Sequence, residues 1–227
     1  MKKRRYNQYC GVAQALDLIG ERWTLLVVRE LLLGPKRYTD LLESLPGIGT
    51  NILAARLQEL EQALIIQRRV LPPPAASTVY ELTAYGRELD EVIMLLGRWG
   101  GKSLEPPQQQ AFRGESAMLA LRSSFRSETA GDVSATFEFH FSPDEVFTVR
   151  LLSGSLEVVP GSAPHPDVIV DVTTDVFFQL LVRQTSLREA LERGHIRVQG
   201  DADLLASALF DHVYFETGIY APSESAS

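Results

Sequence analysis

The chain has 227 residues, 45% of them hydrophobic and 22% charged, an ordinary balance for a globular protein and more length than one average domain needs. No apolar run approaches the roughly 20 residues that cross a bilayer. The basic start Met1-Lys2-Lys3-Arg4-Arg5 leads into no apolar stretch of the secretory kind. A lone cysteine, Cys10, has no internal disulfide partner, so the expectation is a cytoplasmic protein without a membrane partner.

The net charge of −7 is unevenly spread. Residues 1–103 hold 14 Lys/Arg against 11 Asp/Glu (+3), whereas residues 104–227 hold 8 against 18 (−10). Only the front half can approach a phosphate backbone cheaply. Between the halves lies Gly100-Gly101-Lys102-Ser103-Leu104-Glu105-Pro106-Pro107-Gln108-Gln109-Gln110, with little to bury and the composition of a linker. The expected organisation is a domain over 1–100, a linker over 101–111, a second domain over 112–220, and a frayed Ser-rich tail at 223–227.

In chain order, the spacing predicts helices over 12–19, ended by Gly20, over 23–33, stopped by Gly34-Pro35, and over 38–45, closed by Pro46-Gly47. Thr50 is a suitable N-cap for a fourth helix running to about Ala63. Short β-like runs over 65–71 and 78–82 flank Pro72-Pro73-Pro74-Ala75-Ala76 as a stiff-tipped hairpin. Thr83 then opens a helix with Leu89, Val92, Ile93, Leu96 and Trp99 on one face. This is the order of a mainly α winged helix-turn-helix domain.

On the fourth helix, Leu53, Leu57, Leu60 and Leu64 fall on one stripe and are expected to be buried. Asn51, Ala55, Gln58 and Gln62 cluster opposite. Amides pair with adenine and an alanine methyl touches thymine, so that face suits base edges; equally, it suits plain solvent. Arg56 lies on the flank, within reach of a phosphate or a guanine. Lys36-Arg37 and Arg68-Arg69 place cations on both sides as candidate backbone clamps, or as ordinary surface charge.

The tracts Tyr9-Cys10-Gly11-Val12, 15–26 with its Leu18-Ile19-Gly20-Glu21-Arg22-Trp23 core, Arg37-Tyr38-Thr39-Asp40-Leu41, Arg56-Leu57-Gln58-Glu59-Leu60 and Tyr80-Glu81-Leu82-Thr83 resemble the HxlR-type regulators over about residues 9–100. The resemblance implies a homodimeric DNA-binding regulator whose first and post-wing helices build the dimer interface. It also implies an inverted-repeat operator on double-stranded DNA. Thr50, Asn51 and Arg56 would belong to its recognition helix and Arg68 and Arg69 to its wing. The chain departs from many members at Gly49-Thr50-Asn51, where they carry a serine and a lysine, which leaves the base contacts open. In some members a cysteine near the first helix senses oxidants; Cys10 reads either as such a thiol, favoured by Tyr6, Tyr9 and the preceding basic run, or as a small packed residue.

Behind the seam a helix is expected over 116–127, then strands in which Phe137, Phe139 and Phe141 alternate with polar residues, over 146–152, 155–159 and 168–172. Thr174 is expected to cap a helix containing Phe177 and Leu181. A short helix over 187–193, a strand at 196–198 and a last helix opened by Gly200-Asp201 follow. The order is an α+β domain with an antiparallel sheet. Ser186-Leu187-Arg188-Glu189-Ala190-Leu191 and 194–201 resemble the sterol-carrier-protein-like fold, which implies an apolar tunnel between sheet and helices. Phe137, Phe139, Phe141, Phe177 and Leu181 would then line a site for a hydrophobic effector, or simply form core. His140, His165, His195 and His212 stand apart from any second ligand at metal spacing, and no phosphate loop or nucleophile elbow is present, so neither a metal, a cofactor nor catalysis is expected. The rival reading is a carrier of a hydrophobic molecule that keeps the helix-turn-helix for dimerisation.

Overall fold

In the computed structural model, which describes residues 5–74, 76–104 and 113–218, the chain divides into two units, Met1–Ile93 and Met94–Ser227. The basic run 2–4, most of the expected linker (105–111), the hairpin-tip residue Ala75 and the Ser-rich tail lie outside the described residues.

The first unit opens with α1 (Gly11–Ile19), α2 (Thr24–Leu31), α3 (Tyr38–Ser44) and α4 (Thr50–Gln62). Val27, Val28 and Leu31 of α2, Leu41 of α3, and Leu53, Leu57 and Leu60 of α4 form its buried core, as spacing three and four apart requires. Gly47 has φ +89, a backbone state that glycine adopts without strain, and there the chain reverses between α3 and α4. Two expectations for α4 are corrected. Gly49 rather than Thr50 is the N-cap, with no side chain closing that end. Leu64 is 71% exposed, because the helix stops at Gln62 and Leu64 enters the left-handed region at φ 58, leaving the buried stripe.

The wing is β1 (Ile66–Val70) paired antiparallel with β2 (Thr78–Leu82), Ile66 opposite Leu82. Lys36 extends it, exchanging main-chain hydrogen bonds with Tyr80 at 3.0 and 2.8 Å. The single post-wing helix expected from periodicity is two: α5 (Ala84–Arg87) and α6 (Leu89–Gly101). Thr83 caps α5, accepting from Gly86 N at 3.0 Å and donating to Leu64 O at 2.6 Å. The chain then tightens through a bond from Glu88 N to Tyr85 O, which interrupts the helical ladder.

The second unit packs α7 (Gly114–Ser124) and α8 (Thr174–Leu181) on a five-stranded sheet. Its strands are β3 (Ala135–Ser142), β4 (Glu145–Leu152), β5 (Ser155–Pro160), β6 (Val168–Val172) and β7 (Ile196–Gly200), in the order β5-β4-β3-β6-β7. The sheet is mixed rather than wholly antiparallel. After the β3–β4–β5 meander the chain crosses the sheet to the end where β3 begins, Asp167 N bonding to Thr136 O, and β6 then runs parallel to β3 on its free side. Thr173, not Thr174, caps α8 by accepting from Val176 N. The helix α9 (Leu187–Glu192) opens with a capping box between Ser186 and Glu189, and α10 (Ala202–Ala208) opens on the Asp201 carboxylate.

Gly86 sets the distance between α5 and the start of the wing. A Cβ there would lie 2.0 Å from the Ile65 carbonyl oxygen, so backbone would have to move. Gly86→Ala is therefore expected to destabilise the first unit by about 2 kcal/mol, as overpacking does, read as a lowered midpoint in urea unfolding.

Candidate nucleic-acid interface

Along α4 the side away from the core exposes Thr50, Asn51, Ala54, Gln58 and Gln62, with Ala55 half-buried. This face is uncharged, and no acidic residue occupies the first turn of the helix, so the positive end of its dipole is uncompensated. Tyr38 at the head of α3 donates to Thr50 O at 2.8 Å and locks the two helices at their starts. Gln58 and Gln62 share an open groove with Tyr38, Ala54, Glu61, Arg68 and Tyr80, roofed on one side by the wing.

The cations expected around this face divide into two groups. Arg68 and Arg69 are adjacent in β1, so the strand's alternation sends them to opposite sides. Arg68 faces the groove, lying 5.5 Å over the Tyr80 ring and 3.0 Å from Glu61 of α4. Arg69 faces away and pairs with Glu81 at 2.9 Å, where the Gln67 amide and then Arg69 hold the Glu81 carboxyl below its ordinary value. Arg37 is exposed at the head of α3, its N–H donating to Asp40.

Two of the expected contacts are turned inward. Lys36 is buried: its ammonium lies 3.1 Å from the buried Glu30 carboxylate, which Arg29 also contacts. A carboxylate taken from water needs such a partner, and Lys36 is the cation within reach from the wing side. Arg56 is only 16% exposed, 2.7 Å from Glu59 and 3.7 Å from Glu21, so it braces α4 against the turn between α1 and α2. Tyr38, Tyr80 and Ala54, which sequence reasoning did not select, line the groove instead. The signal for Tyr80 was available, since it is the β2 residue directly opposite Arg68 in the hairpin register.

In the second unit the expected tunnel-lining residues fill space rather than enclose it. Phe137, Phe139, Phe177 and Leu181 are fully buried. Phe177 meets Phe139 and Phe141 edge to face, with ring centres 5.4 and 5.2 Å apart. These rings pack against one another between this face of the sheet and α8. A hollow of about 540 Å³ opens instead on the other face, over Glu138 and His140. There His140 Nε2 lies 2.6 Å from Glu138 and Nδ1 3.0 Å from Asp171, and these carboxylates, Glu138 foremost, raise the imidazole pKa against the opposing effect of burial.

Comparison with known proteins assigns the two halves separately. Residues 18–108 match the model for the HxlR-like helix-turn-helix, and residues 120–212 match that for the alkyl sulfatase C-terminal domain. The HTH-type transcriptional regulator YodB of Bacillus subtilis is 39% identical over 101 residues, which span 44% of this chain and 90% of that protein. The chain belongs to the HxlR-like helix-turn-helix family. The structure of quinone-bound YodB from B. subtilis covers 39% of this chain and 93% of its own at 36% identity, with a TM-score of 0.35. That of the inverting sec-alkylsulfatase Pisa1 from Pseudomonas sp. covers 44% of this chain and 16% of its own at 23% identity, with a TM-score of 0.41.

Against most of the HxlR-like unit's apolar residues, which are core, α1 and α6 leave apolar side chains outside. Val12 and Leu16 are exposed on α1; Val92, Leu95, Leu96 and Trp99 are exposed on α6, Trp99 at 73%. Cys10 caps α1 and is also exposed. Its thiol pKa is lowered, chiefly by the Ala13 N–H and then the Val12 N–H at the opening of the helix. The expected contribution from the basic run 2–4 falls outside the described residues.

The His140 cluster predicts a pH dependence of stability. A folded-state pKa raised above the ordinary 6.5 gives stabilisation that is complete below that value and is lost as pH rises through the folded-state pKa. Unfolding of the wild type followed between pH 5 and pH 9 should show this loss, and His140→Gln should flatten it. Identical profiles would show that His140 stays neutral.

Proposed function

We propose that the protein is a homodimeric, sequence-specific DNA-binding transcriptional regulator, with α4 as the recognition helix and the second unit as a sensor of a small molecule. The observation that carries the reading is the α4 face. Asn51, Gln58 and Gln62 stand exposed and uncharged beside the Arg68–Glu61 pair, on a helix with no acidic residue in its first turn. Amide side chains read base edges in the major groove, while a helix N-terminus, Arg37 and Arg68 suit phosphates. Membership of the HxlR-like family and similarity to YodB, a transcriptional regulator, support the same assignment.

The apolar faces of α1 and α6 support dimerisation, since Trp99, Leu95 and Leu96 would leave water in a symmetric interface. Two α4 helices would then enter successive major grooves about 34 Å apart, on an inverted repeat. A small molecule held by the second unit acts by favouring one spacing of the two helices.

Fluorescence anisotropy with DNA from the protein's own upstream region tests this, with a salt titration and scrambled competitor. Specific binding that weakens steeply with salt is expected. Gln58→Ala should lose about 1–3 kcal/mol of discrimination at one base pair. Arg68→Ala should weaken all sequences alike and reduce the salt slope by about one. Trp99→Glu should sediment as a monomer. Absence of any DNA affinity at low salt, with an apolar molecule co-purifying, would replace this reading with the carrier function.

The exposed Cys10 with its lowered pKa favours a second reading, in which oxidants or electrophiles release the DNA. YodB, the similar relative, has been solved with quinone bound. Mild diamide or a benzoquinone should then abolish operator binding by the wild type and not by Cys10→Ser. Equal sensitivity of the two proteins rules Cys10 out as the sensor.

A further inference from the structure

The hollow on the open face of the second unit's sheet has an unequal set of hydrogen-bonding groups. Its floor is Glu138 and His140 of β3 and Asp171 of β6, with His140 directly opposite Asp171 in the parallel register. Both Glu138 oxygens are engaged: one with His140 at 2.6 Å, the other accepting from Ala163 N at 2.7 Å. Asp171 Oδ1 is taken by His140 at 3.0 Å, which leaves Oδ2 as the one carboxylate oxygen there without a hydrogen bond among the described residues.

The donors are in the opposite condition. Arg197 of β7 is exposed, stands opposite Asp171 in the β6–β7 register, and has no ion-pair or hydrogen-bond partner for its guanidinium among the described residues. The exposed His195 imidazole lies two residues before it, and the hydroxyls of Ser142 and Ser162 at the rim are likewise without partners among the described residues. A guanidinium alone carries five N–H donors in a fork that fits a carboxylate. The remaining wall is apolar. Pro143 and Val146 form it, while the Phe141 ring that borders the hollow packs on Phe177 and Phe147 of the core. About 540 Å³ is the size of a small-ligand site.

We infer that this hollow binds a small amphipathic anion, a carboxylate head held by Arg197 on a short apolar body lying against Pro143 and Val146. The acceptors native to the hollow are nearly all consumed within the protein, so a ligand must bring acceptors to the free donors. His140 serves as a positioning residue: held between Glu138 and Asp171, it occupies one oxygen of each carboxylate. The site lies on the face opposite the Phe137–Phe139–Phe177 core, so occupancy requires no opening of that core. It deepens the sensor role proposed above and rests on that role only for its regulatory use; binding itself is independent of DNA.

Isothermal titration of octanoate into the full chain without DNA tests the inference. Saturable binding of one octanoate per chain is expected, weakened by about tenfold or more in Arg197→Ala and unchanged in Arg188→Ala, whose arginine pairs with Glu192 on α9. Octylammonium, with the same body and the opposite charge, should not compete. Thermal melting of Arg197→Ala should match the wild type, because the side chain is exposed. No saturable octanoate binding, equal affinity in Arg197→Ala, or octylammonium competing as well as octanoate would each overturn the assignment. None of these outcomes bears on operator affinity, which is measured separately, so failure here is distinct from failure of the DNA-binding reading.

Discussion

A carboxylate seldom tolerates burial without a cation beside it, and in the first unit Glu30 has Lys36. The pair does more than neutralise charge. Glu30 belongs to α2, the Lys36 ammonium reaches it from the segment leading into α3, and the Lys36 main chain pairs with Tyr80 of the wing. Helices and hairpin are thereby fixed to one another around a single residue. The groove beside α4 inherits its geometry from this arrangement, because Tyr80 carries Arg68 above it and Tyr38 closes the start of α3 onto Thr50. Arg56 acts similarly from the other side, bracing α4 toward Glu21. Lys36 and Arg56, the cations that fix these elements, are thus distinct from the exposed Arg37 and Arg68.

The second unit follows from a different constraint, the return of the chain from β5 to the far side of β3. The segment that makes this return lies over the polar face of the sheet and has to be held there. Gly161 bonds to Val146 and Thr148, Ala163 to Glu138, and Asp167 to Thr136 on both main chain and side chain. Glu138 is buried as a result, and a buried carboxylate calls for donors, which Ala163 N–H and His140 provide. The same strand presents Phe137 and Phe139 to the helices on its other face, so one alternating run supplies both an apolar core and a polar platform.

The two halves also differ in what they leave uncovered. The HxlR-like unit and the helix continuing from it expose aliphatic and aromatic side chains on α1 and α6, surfaces that suit a second protein copy. The platform of the second unit exposes the Arg197 guanidinium and hydroxyls around a small hollow, a surface that suits a small molecule. The front half is basic and the back half acidic, so the two kinds of surface also differ in charge.

Sequence alone determined the helical stripe of α4 from Leu53 to Leu60, the order of helices and wing, the alternating phenylalanines of β3, and family membership through the motifs around Trp23 and Tyr80. Each of these is local: a period of two or of 3.6 states which face of an element is apolar, and a cap or glycine states where it stops. Tertiary structure decided that Lys36 and Arg56 face inward, that Arg68 and not Arg69 overlooks α4, that Leu64 turns out to solvent, and that β6 runs parallel to β3. It also brought Glu138 and His140 to Asp171 and set the phenylalanine rings edge to face. Most of these outcomes depend on partners from other elements, such as Glu30 for Lys36, 6 residues away, and Asp171 for His140, 31 residues away. Periodicity records that a side chain lies on a given face, whereas the charge or ring that meets it there is supplied by another element, and only the packed chain brings the two together.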